Sequence, residues 1–288
     1  MSAVAERARN LLAHKPGGVI AAADVAAIRD GVQLEQAMQD LILLAAEFSR
    51  PAISGYRVGA VGLGASGALV LCANFEFAGA ALAQTVHAEQ CMVANAAAWG
   101  ETGLHRIAIS AAPCGHCRQF LNELDGAAGL LVTIPDAAEQ RLPVFLPQSF
   151  GPRDLGLEEG LLRVQDNGLV PGADLPPLDR RAAEAANTSY APYSRAPGGV
   201  AIALTDGRVF AGGYMENAAF NPSLPALQAA WAIMLMAGAD PQSARTVAVC
   251  QADSSAIDHI AATRDFLAQH DPAIIVRGVT CNRGVNNG

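Results

Sequence analysis

The sequence predicts an α/β protein: a three-layer α/β/α unit, duplicated, behind an N-terminal helical segment. Three observations lead there. Short apolar runs bounded by turn residues alternate with helical repeats in the order β-β-α-β-α-β, which implies a mixed sheet covered by helices. That order occurs twice, and Ser194 and Glu216 stand 140 positions after Ser54 and Glu76. A length of 288 residues suits two domains of roughly 100–150 residues each.

The elements follow in order. In residues 1–48, Leu34, Ala37, Met38, Leu41, Ala45 and Phe48 recur at helical spacing, with breaks at Pro16-Gly17-Gly18 and Asp30-Gly31. The first unit, 49–150, opens with a hairpin, 57–63 and 68–73 around Gly64-Ala65-Ser66-Gly67. A helix over 86–99, a strand over 106–110, a helix over 114–125 and a strand over 130–134 follow. Residues 147–180 are punctuated by Pro and Gly and read as loop, so 151–180 is expected to link the units. The second unit, 181–288, has strands at 200–204 and 208–212 around Asp206-Gly207. A helix over 226–237, a strand over 246–250, a helix over 256–269 and a strand over 273–276 complete it. The tail, 282–288, is expected to be disordered.

Composition narrows the function. At 51% hydrophobic and 16% charged, the chain is not a disordered one. A net charge of −8 argues against a dedicated nucleic-acid binder. The longest apolar run, 229–239, is short of the roughly 20 residues that span a membrane. The N-terminus lacks the features of a signal peptide. The expected location is the cytoplasm, where thiols stay reduced, so the six cysteines need an explanation other than disulfides.

The chemistry concentrates in His87-Ala88-Glu89 and Pro113-Cys114-Gly115-His116-Cys117. A CxxC pair alone holds zinc, exchanges thiols or opens a helix by chance. Here both sulfurs fall at an expected helix N-terminus, where the dipole and free N–H groups favour thiolates. His87 opens another expected helix, with Thr85 as its N-cap. His87, Cys114 and Cys117 make three ligands and leave a tetrahedral position for water, the catalytic pattern. Zinc brings the pKa of such a water to about 7, and Glu89 reaches it without ligating. H-x-E…P-C-x-x-C is the zinc-deaminase signature, with the Glu as general acid/base. Against this stands Cys91, at i+4 from His87, which would close a structural Cys3His site; a buried thiol is its other reading. His116 is expected to point outward, and Cys72, Cys250 and Cys281 are expected to be core or near-surface thiols.

The runs Thr85-Val86-His87-Ala88-Glu89-Gln90 and Pro113-Cys114-Gly115-His116-Cys117-Arg118-Gln119-Phe120 closely resemble the cytidine deaminases of the long, two-domain homodimeric type. So do Ser54-Gly55-Tyr56-Arg57-Val58-Gly59-Ala60, Asn74-Phe75-Glu76-Phe77, Phe150-Gly151-Pro152-Arg153-Asp154-Leu155 and Glu216-Asn217-Ala218-Ala219-Phe220-Asn221-Pro222. The resemblance implies a cytidine-deaminase-like fold with one zinc ion per subunit. It implies hydrolysis of cytidine and 2′-deoxycytidine to the uridine products, as in pyrimidine salvage. Zinc-activated water would add at C4, while Glu89 moves a proton to N3 and later to the departing ammonia.

By the same resemblance Asn74 and Glu76 hold the ribose hydroxyls; residues i and i+2 on a strand end point the same way. Tyr56 replaces a phenylalanine that packs on the pyrimidine, Phe150 adds an aromatic face, and the backbone of Ala88 and Ala112 reads the base edge. Tyr56, Ala112 (for Ser or Thr) and Cys72 (for Gly) depart from the family pattern and are expected to alter affinity rather than abolish activity. In the second unit Pro225 falls at the ligand position and Leu227 at that of Glu89, and no CxxC follows, so a second zinc site is not expected. In the family the second unit completes the partner subunit's site, so the chain is expected to form a homodimer, with Ala218-Ala219-Phe220 acting in trans. Two further readings stay open: a zinc deaminase acting on a base in a polynucleotide, and a non-catalytic, zinc-stabilised interaction module.

Overall fold

Alternation along the strands sorts the apolar residues onto two faces of each sheet. The computed structural model describes residues 1–253 and 255–283. The first sheet contains β1 (Val19–Ile20), β2 (Gly59–Gly64), β3 (Leu69–Ala73), β4 (Leu104–Ile109), β5 (Leu131–Thr133) and β6 (Gln140–Arg141), in the order β1-β3-β2-β4-β5-β6. The β4–β5 pair is parallel and its other pairs are antiparallel. Val61, Leu69, Leu71 and Ala108 face a cluster built with α1 (Ala3–His14), α2 (Ala22–Arg29) and α3 (Leu34–Ala46). Ala60, Val70, Cys72, Ile107 and Ile109 face the other way, toward α4 (Ala88–Trp99), as a period of two requires.

The second sheet repeats the plan. It contains β7 (Leu169–Val170), β8 (Gly198–Leu204), β9 (Val209–Gly213), β10 (Ala244–Ala252) and β11 (Ile275–Arg283), in the order β7-β11-β10-β8-β9. Its β10–β11 pair is parallel. Ala201, Ala248 and Cys250 share a cluster with α7 (Pro177–Asn187), whereas Val200, Ile202, Val247 and Val249 join the cluster that holds α8 (Ala226–Met236). Helices α4 and α8 pack on one another, so one apolar cluster runs through both halves. Two shorter helices, α5 (Gly115–Leu121) and α6 (Leu142–Phe145), and α9 (His259–His270) complete the set.

Glycine marks the duplication. Gly59 and Gly199 lie at equivalent places, and a Cβ at either would overlap the backbone of α3 or α7. The hairpins turn on Gly67 and Gly207, at φ +87° and +86°, a region open to glycine at little steric cost.

Five local expectations are corrected. Residues 1–48 include the short strand β1, which β3 pairs. The helix at 114–125 ends at Leu121, because Asp125 N donates to Leu161 O and Leu161 N to Glu123 O, which turns the chain. Residues 147–180 are not all loop: α7 starts at Pro177, which fits the first turn because its missing N–H has no partner there. Thr85 is not the N-cap of α4; its N–H closes a 3-10 turn on Leu82 O, and His87 is the cap. Asn282 and Arg283, expected in a disordered tail, close β11 against β7; the rest of that tail, 284–288, lies outside the described residues. No helix among the described residues is long and apolar enough to cross a membrane.

Candidate active site

The end of β3 delivers the chain to the first candidate ligand. Phe75 and Val86 exchange N–H···O bonds of 2.8 and 2.9 Å, which hold Asn74-Phe75-Glu76 beside Val86-His87. His87 then caps α4 with extended backbone, φ −77° and ψ 156°, and Gln90 Oε1 accepts from its N–H at 3.2 Å. On the facing element Cys114 caps α5, its sulfur accepting from Cys117 N at 3.5 Å. Arg118 braces this turn by donating to Pro113 O and Phe145 O at 2.7 and 2.9 Å.

Two helix N-termini therefore converge. His87 Nδ1 lies 3.2 Å from Cys117 Sγ and 3.6 Å from Cys114 Sγ, and the sulfurs are 3.6 Å apart. Tetrahedral zinc, with Zn–S of about 2.3 Å and Zn–N of about 2.0 Å, separates its ligand atoms by about 3.5–3.8 Å. The donor set and spacing fit zinc, and among the described residues this is the one such cluster. Cys91 is not part of it. It lies in the core, where its thiol meets Cys72, so the closed Cys3His alternative has no fourth ligand there. His116 does not simply point outward; its ring stacks on His87, with centroids 5.3 Å apart.

The electrostatics suit metal binding. The Cys117 S–H and the His87 ring pull the Cys114 thiol down to about 3. Cys117 is pushed up by sharing its proton with that thiolate and by burial, and His87 is raised by its bond to Cys114. A bound cation reverses the direction at Cys117, since a coordinating thiol is deprotonated. Glu89, in the first turn of α4, is only 4% exposed and meets Cys117. Burial raises its carboxyl above the ordinary range, which suits a group that must hold a proton and pass it on. Ala88, between the two, is buried.

The structure brings Asn74, Glu76 and Tyr56 together on the loop that follows α3. Asn74 Oδ1 accepts from Ser49 Oγ and Val58 N, and its Nδ2 donates to Tyr56 O at 3.0 Å. Glu76 Oε2 accepts from Ile53 N and Ser54 N at 2.7 and 2.8 Å, and Oε1 accepts from Ser54 Oγ. These donors hold the Glu76 carboxyl below the usual range despite the opposing effect of desolvation. Tyr56 is 61% exposed, so its hydroxyl needs no protein partner.

Phe150 and Phe220 are farther out. Gln119 Nε2 and Asn122 Nδ2 both donate to Phe150 O at 3.0 Å, which ties Phe150 to the far end of α5; the residue is 46% exposed. Phe220 is 67% exposed and sits at φ +62°. A cavity of about 420 Å³ lies between the halves against Ala94, Leu162, Arg163, Tyr190 and Tyr214, and none of these site residues lines it. Tyr56, Cys114, Phe150 and Phe220 are exposed in the single chain, whereas Glu89 and Cys117 are buried.

Gln90, Glu123, Tyr190 and Tyr193 carry no role in the sequence reading. Gln90 links His87 to Pro222 O. Its signal was a capping box, an N-cap followed three residues later by Gln. Glu123, fully buried, accepts from Tyr190 Oη, Tyr193 Oη and Ala218 N. Nothing local in the sequence marks that network, since its donors lie some 70 to 95 positions away.

A His-Cys-Cys centre at paired helix N-termini, with a buried carboxyl beside one sulfur, defines a zinc-dependent hydrolytic deaminase. The pattern described as the cytidine and deoxycytidylate deaminase zinc-binding region matches twice, at residues 32–132 and 142–264. The cytidine deaminase of Vibrio vulnificus is 42% identical over 269 residues, 90% of this chain and 91% of that protein. That of Photobacterium profundum is 45% identical over 234 residues, 81% of this chain and 79% of that protein. The crystal structure of cytidine deaminase from Mycobacterium tuberculosis aligns at 29% identity and a TM-score of 0.38, over 41% of this chain and 98% of that one. The chain belongs to the cytidine deaminase family.

Proposed function

We propose that the protein hydrolyses cytidine and 2′-deoxycytidine to uridine and 2′-deoxyuridine with release of ammonia, a pyrimidine-salvage reaction in the cytoplasm. The observation that carries this reading is the Glu89 carboxyl at the edge of the His87–Cys114–Cys117 cluster. Bound zinc supplies Lewis-acid activation of water. Glu89 takes the proton released, delivers it to N3 of the base, and passes a proton to the exocyclic amine as the C4–N bond breaks. Water's oxygen ends on C4 and its hydrogens leave the site on product and ammonia. Asn74 and Glu76 orient the ribose, the backbone at Ala88 and Ala112 reads the base edge, and Tyr56 and Phe150 give aromatic faces.

The exposure of Tyr56, Cys114 and Phe220 supports a homodimer in which Phe220 of one subunit covers the site of the other. The working division is a largely helical segment at 1–48, a zinc unit at 49–150, and a metal-free unit that takes β7 and α7 out of the expected 151–180 linker. A polynucleotide substrate is disfavoured by the net charge of −8. The test is Glu89→Ala. Zinc content should stay at one per chain while the ultraviolet absorbance change on adding cytidine slows by about 10²–10⁴-fold. Full activity in that variant removes Glu89 from the mechanism, and absence of turnover by the unaltered protein removes the substrate assignment. Competition by oligonucleotides distinguishes the polynucleotide reading.

A further inference from the structure

We propose that Gln90 is a positioning residue through which the metal-free half fixes the zinc-binding end of α4; this rests on His87, Cys114 and Cys117 being the zinc ligands. Gln90 is 2% exposed. Its Oε1 accepts from His87 N and its Nε2 donates to Pro222 O, both at 3.2 Å. Pro222 ends a loop that is fastened to the other ligand-bearing helix as well. Asn217 Nδ2 donates to Gln119 O at 3.0 Å, and Ala218 N donates to Glu123 at 2.9 Å. One loop of the second half thus grips α4 through Gln90 and the α5 segment through Gln119 and Glu123.

The duplication supplies an internal control. Gln228 holds the same third position of α8 and donates across the halves to Gln84 Oε1. The cap of α8 is Pro225, which has no N–H to give. Gln228 Oε1 is accordingly buried without a partner. Reaching across the halves therefore persists where there is neither ligand nor cap bond to make. Bridging and capping are separable tasks, and Gln90 performs both at a ligand's backbone. The second half, with Pro225 at the place of the ligand, holds the ligand-bearing segments of the first.

The experiment uses full-length zinc-loaded protein, Gln90→Met, Asn217→Ala and the double variant. Methionine keeps the length of the side chain and loses both bonds; Asn217→Ala loosens the loop without touching α4. Zinc release to a chromophoric chelator, thermal melts, and kcat and KM for cytidine are measured. Gln90→Met should release zinc about 10-fold faster and lose about 10-fold in kcat, with KM within about twofold because Gln90 is not assigned to substrate. Asn217→Ala should move both in the same direction. The double variant should go no further than Gln90→Met, since coupled residues are non-additive. Wild-type zinc release in Gln90→Met, or independent multiplying effects in the double variant, overturns the proposal. Should Gln90→Met fail to fold, unchanged zinc release in Asn217→Ala overturns it alone. If the unaltered protein does not turn over cytidine, the substrate reading fails while the zinc-release comparison still decides this one.

Discussion

Replacing Glu123 tests how firmly the two halves are joined. Its carboxylate has no exposed surface, and its partners are neutral donors from the second half: Tyr190 Oη, Tyr193 Oη and Ala218 N. Glu123→Ala strips the acceptor from all three at once. An orphaned buried donor costs about 1–3 kcal/mol, and relief of the carboxylate's own desolvation offsets part of the sum, leaving a net loss of about 3 kcal/mol. At about 2 °C per kcal/mol for a chain of this size, Tm falls by about 6 °C. Glu123→Gln keeps an oxygen for the tyrosines but sets an amide N–H against Ala218 N–H, so about half the loss is expected.

The pH dependence gives a second check. Burial, ahead of every other influence, raises the Glu123 carboxyl, and Glu216 adds repulsion. An acid whose pKa is higher folded than unfolded binds more protons in the folded state, so its contribution to stability falls as pH rises from the ordinary carboxylate range through the raised value. The advantage of the unaltered protein over Glu123→Gln is therefore largest in acid and shrinks toward neutrality. Thermal melts from about pH 5 to about pH 8, monitored by circular dichroism, read both effects. An advantage that grows with pH refutes the assignment of direction, and a Glu123→Ala variant within about 1 °C of the unaltered protein refutes the joint itself.

Cys91→Ala should retain one zinc per chain by metal analysis, because Cys91 packs toward Cys72; zinc loss would revive the structural Cys3His site. Phe220→Ala should raise KM for cytidine about 10-fold with zinc content unchanged, the scale of a lost base–aromatic contact, as steady-state kinetics would show. Glu76→Gln should raise KM, by about 10-fold or more, and also lower Tm by about 2 °C, because the carboxylate proposed to hold the sugar also holds the loop. His87→Ala should abolish zinc binding, measured by the same metal analysis.

Much of this was legible because it is local. Alternation in Val61, Leu69 and Leu71 against Ala60, Val70 and Cys72 identifies the faces of a strand without knowing its partner. The zinc ligands are legible because His-x-Glu and Cys-x-x-Cys each sit on one helix start, where short spacing fixes geometry. What escaped depends on contacts far along the chain. Strand β1 is two residues long and exists because β3 offers it an edge. The true end of α5 is set by Leu161, some 40 residues onward. Pro176-Pro177 punctuates the chain like a loop, yet a proline at the first helical position is as good a start as a stop. The Glu123 network has no sequence signature at all, since Glu, Tyr and a backbone N–H carry no spacing rule between them.

The two halves also separate residues that keep the fold from residues that do chemistry. Glu216 Oε2 accepts from Tyr193 N and Ser194 N, as Glu76 Oε2 does from Ile53 N and Ser54 N. A glutamate in this place therefore holds its loop whether or not a candidate zinc site lies beside it, and the sugar contact proposed for Glu76 would use oxygens that the loop already fixes. The caps tell the same story from the other side. Pro225 keeps the extended backbone of a helix start, φ −60° and ψ 147°, close to that of His87. A proline at this place starts the helix as His87 does and offers no metal donor. The second half keeps this loop and this helix start with no metal donor at Pro225, so neither depends on a bound ion, and its 217–222 loop bonds to Gln90, Gln119 and Glu123 of the first half.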